Sequence, residues 1–231
     1  MAGWTPLAPP DGELLWPGAV SLWLAGRWAS DEVRLVGLPG RRLALLGCCH
    51  VSTGELEAVL RRSSSSRGDL RLVSWPGSYH VVLEDADGVA IYGDLAGARP
   101  VFYAGGPEGV RFASAALPLS ASLDAGMDQA WLATTLLCPS APELVADRSP
   151  FAGVAAVAPG NVLCVSRAEP RTRRVWAPCP GRATLAEGGE ALRDALTAGV
   201  GARIAHAARL TSDLSGGLDS FLTPEGVRNS V

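Results

Sequence analysis

Apolar positions along this chain come in short runs, and turn residues punctuate them. Residues 18–28 (G-A-V-S-L-W-L-A-G-R-W) predict a strand rich in large side chains. Residues 33–48 hold two more apolar runs, V-R-L-V-G-L and R-L-A-L-L-G-C, with Leu38-Pro39-Gly40 as the turn between them. From Thr53 to Arg62 the spacing changes to helical: Thr53 can cap, and Leu56, Val59 and Leu60 share a face. Ser63 to Ser66 reads as a solvated connection. Two hairpins follow. Tyr79–Glu84 and Val89–Gly93 flank D-A-D-G, where Asp87-Gly88 supplies the positive φ of a tight turn. Val101–Ala104 and Val110–Ala113 flank G-G-P-E-G. His80, inside this β region, reads as a half-buried strand residue.

Asp128 suits the N-cap of a helix, D-Q-A-W-L-A-T-T-L-L, whose face is Trp131, Leu132, Thr135 and Leu136. Val154–Val157 and Asn161–Ser166 predict a third hairpin around Ala158-Pro159-Gly160. A Pro/Gly break at 177–183 marks a domain boundary. Beyond it Leu192, Leu196, Val200 and Ile204 recur every four residues, a helical stripe weakened by Gly199 and Gly201. That helix leads to a strand at 210–214. Residues 1–176 therefore read as antiparallel β with a few helices, and 184–231 as helix, strand and glycine loop, the opening of an α/β nucleotide domain.

Composition narrows the chemistry. The 231 residues are 48% hydrophobic, enough for one large domain or one domain and part of another. The net charge of −3 offers no basic surface to nucleic acid. No apolar run approaches a membrane span, and no basic residue precedes the first apolar stretch as in a secretory signal, so a soluble cytoplasmic protein is expected. All 20 basic residues are arginine. Without lysine there is neither a GxxxxGK[ST] phosphate loop nor Schiff-base chemistry in these residues. The cysteines Cys48, Cys49, Cys138, Cys164 and Cys179 contain no C-x-x-C spacing, which argues against zinc. Cys48 and Cys49 are adjacent and project to opposite faces of a strand, so they cannot easily share one metal, and they read as small buried side chains at a strand end.

The stretch that carries chemistry is L-T-S-D-L-S-G-G-L-D-S, Leu210 to Ser220. After Leu214, the residues Ser215, Gly216, Gly217, Leu218, Asp219 and Ser220 have the parts of a pyrophosphate site. The glycines let main-chain amides approach the phosphates, the serine hydroxyls can donate, and a following helix would aim its N-terminus at the anion. Asp219 is negative, so its sensible role is to hold Mg²⁺. ATP and Mg²⁺ are the expected ligands.

S-G-G-L-D-S resembles the PP-loop of the ATP pyrophosphatases, in the form found in the asparagine synthetase family. The resemblance extends to P-G-S-Y-H-V-V-L-E-D (76–85), G-D-L-A-G-A-R-P-V-F-Y-A (93–104), R-F-A-S-A-A (111–116) and F-A-G-V-A-A-V-A-P-G-N-V-L (151–163). It implies an α+β fold: a four-layer αββα, Ntn-hydrolase-like (glutaminase-type) sandwich over 1–176, then the first helix, strand and loop of an ATP-pyrophosphatase domain over 184–231. Glutamine-hydrolysing members use an N-terminal cysteine. Here Met1-Ala2-Gly3 stands at the start, and L-G-C-C-H-V (46–51) occupies the approximate place of the glutamine-gripping N-G-E-I-Y-N segment. No catalytic residue is assigned.

The wording A-L-L-G-C-C-H, W-P-G-S-Y-H-V-V and L-L-C-P-S-A-P-E-L is close to the lasso peptide cyclase branch, which does without glutamine. That resemblance implies adenylation of a side-chain carboxylate in a ribosomally made precursor peptide, attack by the peptide's N-terminal amine, and a precursor-recognition protein and a leader peptidase as partners. An asparagine synthetase-like amidotransferase is the second reading, and an inactive fragment serving at most as a binding module is the third. Asp94 and Arg99 read as structural, an ion pair or a turn lock. After Ser220 the tail F-L-T-P-E-G-V-R-N-S-V departs from the family. Pro224 would cost a following helix ~3 kcal/mol, so truncation or a changed reading frame after the loop is expected.

Overall fold

A computed structural model describes residues 11–17, 21–66, 68–106, 109–166, 169–178, 181 and 183–204. The strand expected at 210–214 and the loop from Leu214 to Ser220 lie outside them.

The strands are β1 (Glu13–Trp16), β2 (Leu22–Leu24), β3 (Val33–Leu38), β4 (Arg41–Cys49), β5 (Gly77–Asp85), β6 (Gly88–Tyr92), β7 (Phe102–Gly106), β8 (Gly109–Ala113), β9 (Ala155–Ala156), β10 (Asn161–Ser166) and β11 (Glu169–Arg174). The α-helices are α1 (Thr53–Leu60), α2 (Ala116–Leu123), α3 (Gln129–Leu137) and α4 (Leu185–Ile204). Single 3-10 turns span Leu70–Val73 and Pro142–Val145. All strand pairings are antiparallel. The main sheet runs β11-β10-β6-β5-β4-β3, a smaller sheet runs β8-β7-β9, and β1 pairs with β2. The chain is thus a mixed α+β protein built on antiparallel sheets.

The main sheet is buried on both faces. On one, Leu43, Leu45, Val81, Leu83, Ala90, Tyr92 and Val162 pack with Leu56 and Leu60 of α1 and with Leu72. On the other, Ala44, Leu46, Val82, Val89, Ile91, Leu163 and Val165 pack with Trp16, Leu22 and Leu24 of β1–β2 and with Val110 of β8. A third cluster joins Ala116 and Leu119 of α2 to Phe102, Ala113 and Val154, on the far side of the smaller sheet. The layers run helix, sheet, sheet, helix. Burial on both faces explains why L-A-L-L (43–46) and V-V-L (81–83) are continuous apolar runs rather than alternating ones.

The structure corrects several sequence expectations. The cap of α1 is Ser52, not Thr53: Ser52 Oγ accepts from the Glu55 amide, and the Glu55 carboxylate accepts from the Ser52 amide, a reciprocal box that closes the first turn. The strand expected over 18–28 narrows, in the described residues, to Leu22–Leu24. In the D-A-D-G turn only Gly88 has positive φ, at 142°. The hairpin around Ala158-Pro159-Gly160 does not form. Ala155–Ala156 pairs with β7 in the small sheet, while β10 pairs with β6 and β11 in the main one, so this turn carries the chain between sheets. Asp128 does cap α3, with Oδ1 accepting from the Trp131 amide at 3.0 Å. Yet α3 buries no residue, and Leu136 is 71% exposed. The stripe of α4 is likewise open, with Leu192 61% and Leu196 56% exposed.

The serine run is not a solvated connection. Ser63 and Ser65 are buried. Ser63 Oγ donates to Asp69 Oδ2 at 2.6 Å. Ser65 gives both its amide (2.8 Å) and its hydroxyl (2.5 Å) to the Asp85 carboxylate. The Asp87 amide donates to Asp85 Oδ1 as well, at 2.9 Å, so one carboxylate ties the 63–66 segment to the β5–β6 turn. Burial opposes ionisation of Asp85. The hydrogen bonds from Ser65 and Asp87 and the charge of Arg41 outweigh it and hold its pKa below the ordinary 3.8.

Because the folded pKa is depressed, the carboxylate's contribution is present above pH ~4 and is lost as pH falls through the folded value. Asp85→Asn should cost about 1–3 kcal/mol at pH 7. Urea unfolding at pH 7 and pH 3 checks this. The gap between wild type and variant should be full at pH 7 and shrink at pH 3; a gap independent of pH would contradict the assignment.

Candidate functional site

The polar groups of the sandwich gather where β4 leaves the main sheet. Side chains alternate along β4, so Ala44 and Leu46 face the second sheet layer and Cys48 follows them in phase, while Leu43, Leu45 and Cys49 face α1. The register places Cys48 directly opposite Ser78 at the start of β5, and Leu46 opposite His80. Directly opposed residues share a face. Cys48, Ser78 and His80 therefore stand on one face at one end of the sheet.

The chain after β6 closes on this face. Asp94 Oδ1 accepts from the Arg99 amide at 3.1 Å, and the Asp94 carbonyl accepts from the Gly97 amide at 3.3 Å. Asp94 is thus a turn lock through the main chain, the structural role its sequence suggested. The turn carries Arg99 and Pro100 back onto β5. Arg99 Nε donates to Ser78 Oγ at 3.0 Å. His80 Nε2 lies 3.1 Å from the Pro100 carbonyl. A carbonyl can only accept, so that nitrogen carries the proton. Burial pushes the His80 pKa below its usual value, ahead of the opposing Pro100 hydrogen bond. A buried, neutral, hydrogen-bonded histidine is a structural residue.

The opposite face is held by Arg34 of β3. Its guanidinium donates to the carbonyls of Cys49 and Val51, the residues by which the chain leaves β4 and enters α1. Cys49 is buried beside it, and burial raises the thiol pKa. Cys48 is half-buried, with Sγ 3.8 Å from Nε2 of the exposed His50. At this end the chain thus presents a thiol, an imidazole, a hydroxyl and a guanidinium. Its carboxylate, Asp94, is engaged by the turn. No group of three or more His, Cys, Asp or Glu side chains among the described residues is placed to hold a metal ion.

The sequence-predicted ligands Leu214, Ser215, Gly216, Gly217, Leu218, Asp219 and Ser220 lie outside the described residues. Of the other singled-out residues, the structure brings Cys48, His80, Asp94 and Arg99 to one end of the sheet and turns Cys49 away. Sequence reasoning missed Arg34 and Ser78. The signal for Arg34 was a charge in the otherwise apolar run V-R-L-V-G-L, which needs a partner when half-buried. Ser78 carried no signal, because its role depends on register. A separate shallow pocket of about 270 Å³ is lined by Glu55, Ala58, Val59, Arg71, Ser74 and Trp75. Glu55 is engaged by the α1 cap and Arg71 by Asp69, so its two charged groups are already satisfied.

No protein-family model matches the chain, and no curated protein matches it. No helix among the described residues is long and apolar enough to cross a membrane.

Close approach of β4 and β5 sets this geometry. Gly47 has φ 127°, and a Cβ there would lie 2.5 Å from the Ser78 carbonyl oxygen. Gly47→Ala should cost about 2 kcal/mol or more, from backbone strain and the clash with a main-chain atom. Thermal unfolding checks this; a melting temperature equal to wild type would mean that the two strands can separate locally without loss.

Proposed function

We propose that the chain is the N-terminal part of an ATP-dependent, AMP-forming lasso peptide macrolactam cyclase. The observation that carries this reading is the pairing of S-G-G-L-D-S with the helix–sheet–sheet–helix layering upstream of it. That layering is what a glutaminase-type, Ntn-hydrolase-like half would have. L-G-C-C-H-V at 46–51 supports a half that does not bind glutamine. Its main-chain carbonyls at Cys49 and Val51 are bound by Arg34, and its side chains offer no amide or carboxylate to a glutamine head group.

In this reading Ser215, Gly216, Gly217 and Ser220, in the loop that begins at Leu214 and includes Leu218, would receive the pyrophosphate through amides and hydroxyls. Asp219 holds Mg²⁺. The precursor's side-chain carboxylate is activated as the acyl-adenylate with loss of pyrophosphate. Its N-terminal amine then displaces AMP, forms the amide and gives up a proton. The amine is intramolecular, so proximity replaces a delivered nucleophile. The β-rich half is a scaffold without hydrolytic chemistry. A precursor-recognition protein and a leader peptidase are the partners that deliver and trim the peptide.

The test is ATP–pyrophosphate exchange by the complete enzyme in which these 231 residues form the N-terminal part, with a precursor peptide bearing an acidic ring-closing residue. Exchange should depend on the peptide, and Asp219→Asn should lower it on the order of 100-fold, the usual loss when one transition-state contact is removed. Exchange unaffected by Asp219→Asn, or none with any acidic precursor supplied together with its recognition protein, would sink the reading.

A further inference from the structure

The thiol–imidazole pair at the end of β4 has no part in adenylation. We propose that Cys48 and His50 form a reactive thiol site that exchanges with small-molecule disulfides and holds them as a mixed disulfide. This inference is independent of the cyclase reading.

Three observations carry it. First, Cys48 Sγ lies 3.8 Å from His50 Nε2, and both side chains reach solvent. A neighbouring imidazole is the usual partner that makes a cysteine nucleophilic. Second, the other described cysteines are placed differently. Cys49 and Cys164 have their thiol pKa values raised by burial. Cys138 is exposed at the C-cap of α3. Third, Cys49 points into the core on the far face of the strand. An adjacent thiol would otherwise resolve the adduct by closing an internal disulfide. Here the resolving thiol is turned away, so the mixed disulfide persists until an outside thiol removes it.

The chemistry balances without a further oxidant. His50 accepts the Cys48 proton. The thiolate sulfur attacks one sulfur of RS–SR, the S–S bond breaks, a Cys48–SR bond forms, and RS⁻ leaves. The disulfide supplies the oxidising equivalents. Arg99 reaches Ser78, the direct cross-strand neighbour of Cys48, so anionic disulfides are the favoured class.

The experiment uses the full chain, reduced and desalted, with the dianionic probe 5,5′-dithiobis(2-nitrobenzoate). Release of the coloured thiolate gives the rate, and peptide mapping without reductant locates the first adduct. The first equivalent should fall on Cys48. Cys48→Ser should remove that fast phase, and Cys138→Ser should keep it. His50→Gln, a change at an exposed position, should slow the Cys48 phase roughly tenfold at pH 7. A first adduct on any other cysteine overturns the proposal, as does a Cys48 rate unchanged by His50→Gln. Peptide mapping separates a folding defect from the expected effect, because unfolding would speed labelling of Cys49 and Cys164.

Discussion

The central constraint is burial of one sheet from both sides. Leu43, Ala44 and Leu45 of β4 are fully enclosed and point alternately to the two cores. A sheet apolar on both faces has no stable life alone and must recruit a layer on each side. The α1 helix and the Leu70–Val73 turn supply one layer, β1–β2 and the β7–β8–β9 sheet the other, and α2 closes the second sheet from outside. The order of layers follows from where the apolar area must go, not from any single contact. Burial also fixes register. A one-residue slip of β4 would exchange its two faces and move Cys49 out of the core.

Several polar groups at the edges of this core are bound to the main chain or to one another. Arg34 takes two carbonyls, Asp85 takes the serine segment, Asp94 takes its own turn, and Tyr92 accepts the Asp69 amide at 2.9 Å from inside the helix-facing core. Each of these would be costly if left unpaired at its depth. Together they tie the connections to the strands they join. Burial drives the Tyr79 and Tyr92 hydroxyls to pKa values well above the ordinary 10.0, so both remain neutral donors and acceptors throughout the physiological range.

What could be read in the sequence was local, and what could not was relational. The β3–β4 and β5–β6 hairpins were legible because Leu38-Pro39-Gly40 and D-A-D-G are turn chemistry between apolar runs. The Leu56–Val59–Leu60 face of α1 was legible from its period. The turn Ala158-Pro159-Gly160 has the same local chemistry, yet it joins two different sheets. Only the vacancy beside β6, filled by β10, decides between hairpin and crossing. β11, E-P-R-T-R-R, shows no apolar alternation, since it is an exposed edge strand whose arginines discourage pairing with another chain. The serine run looked solvated because the carboxylate that buries Ser65, Asp85, lies 20 residues away.

The same distinction separates the two candidate sites. S-G-G-L-D-S could be proposed from the sequence because its parts are contiguous: amides, hydroxyls and one acid within six residues. The end of β4 is the reverse case. Cys48 and His50 are near in sequence, but what surrounds them depends on pairing and on the Asp94 turn, which carries Arg99 onto Ser78. Arg34 and the Ser52–Glu55 cap fix the exit of β4 by holding main-chain groups on both sides of His50. A short segment fixed at both ends keeps its imagined freedom only in side-chain rotamers. The scaffold therefore holds the main chain of both residues, and the 3.8 Å approach of Sγ to Nε2 is made by their rotamers. The proposed thiol site thus needs only side-chain rotation to bring the thiol and the imidazole together.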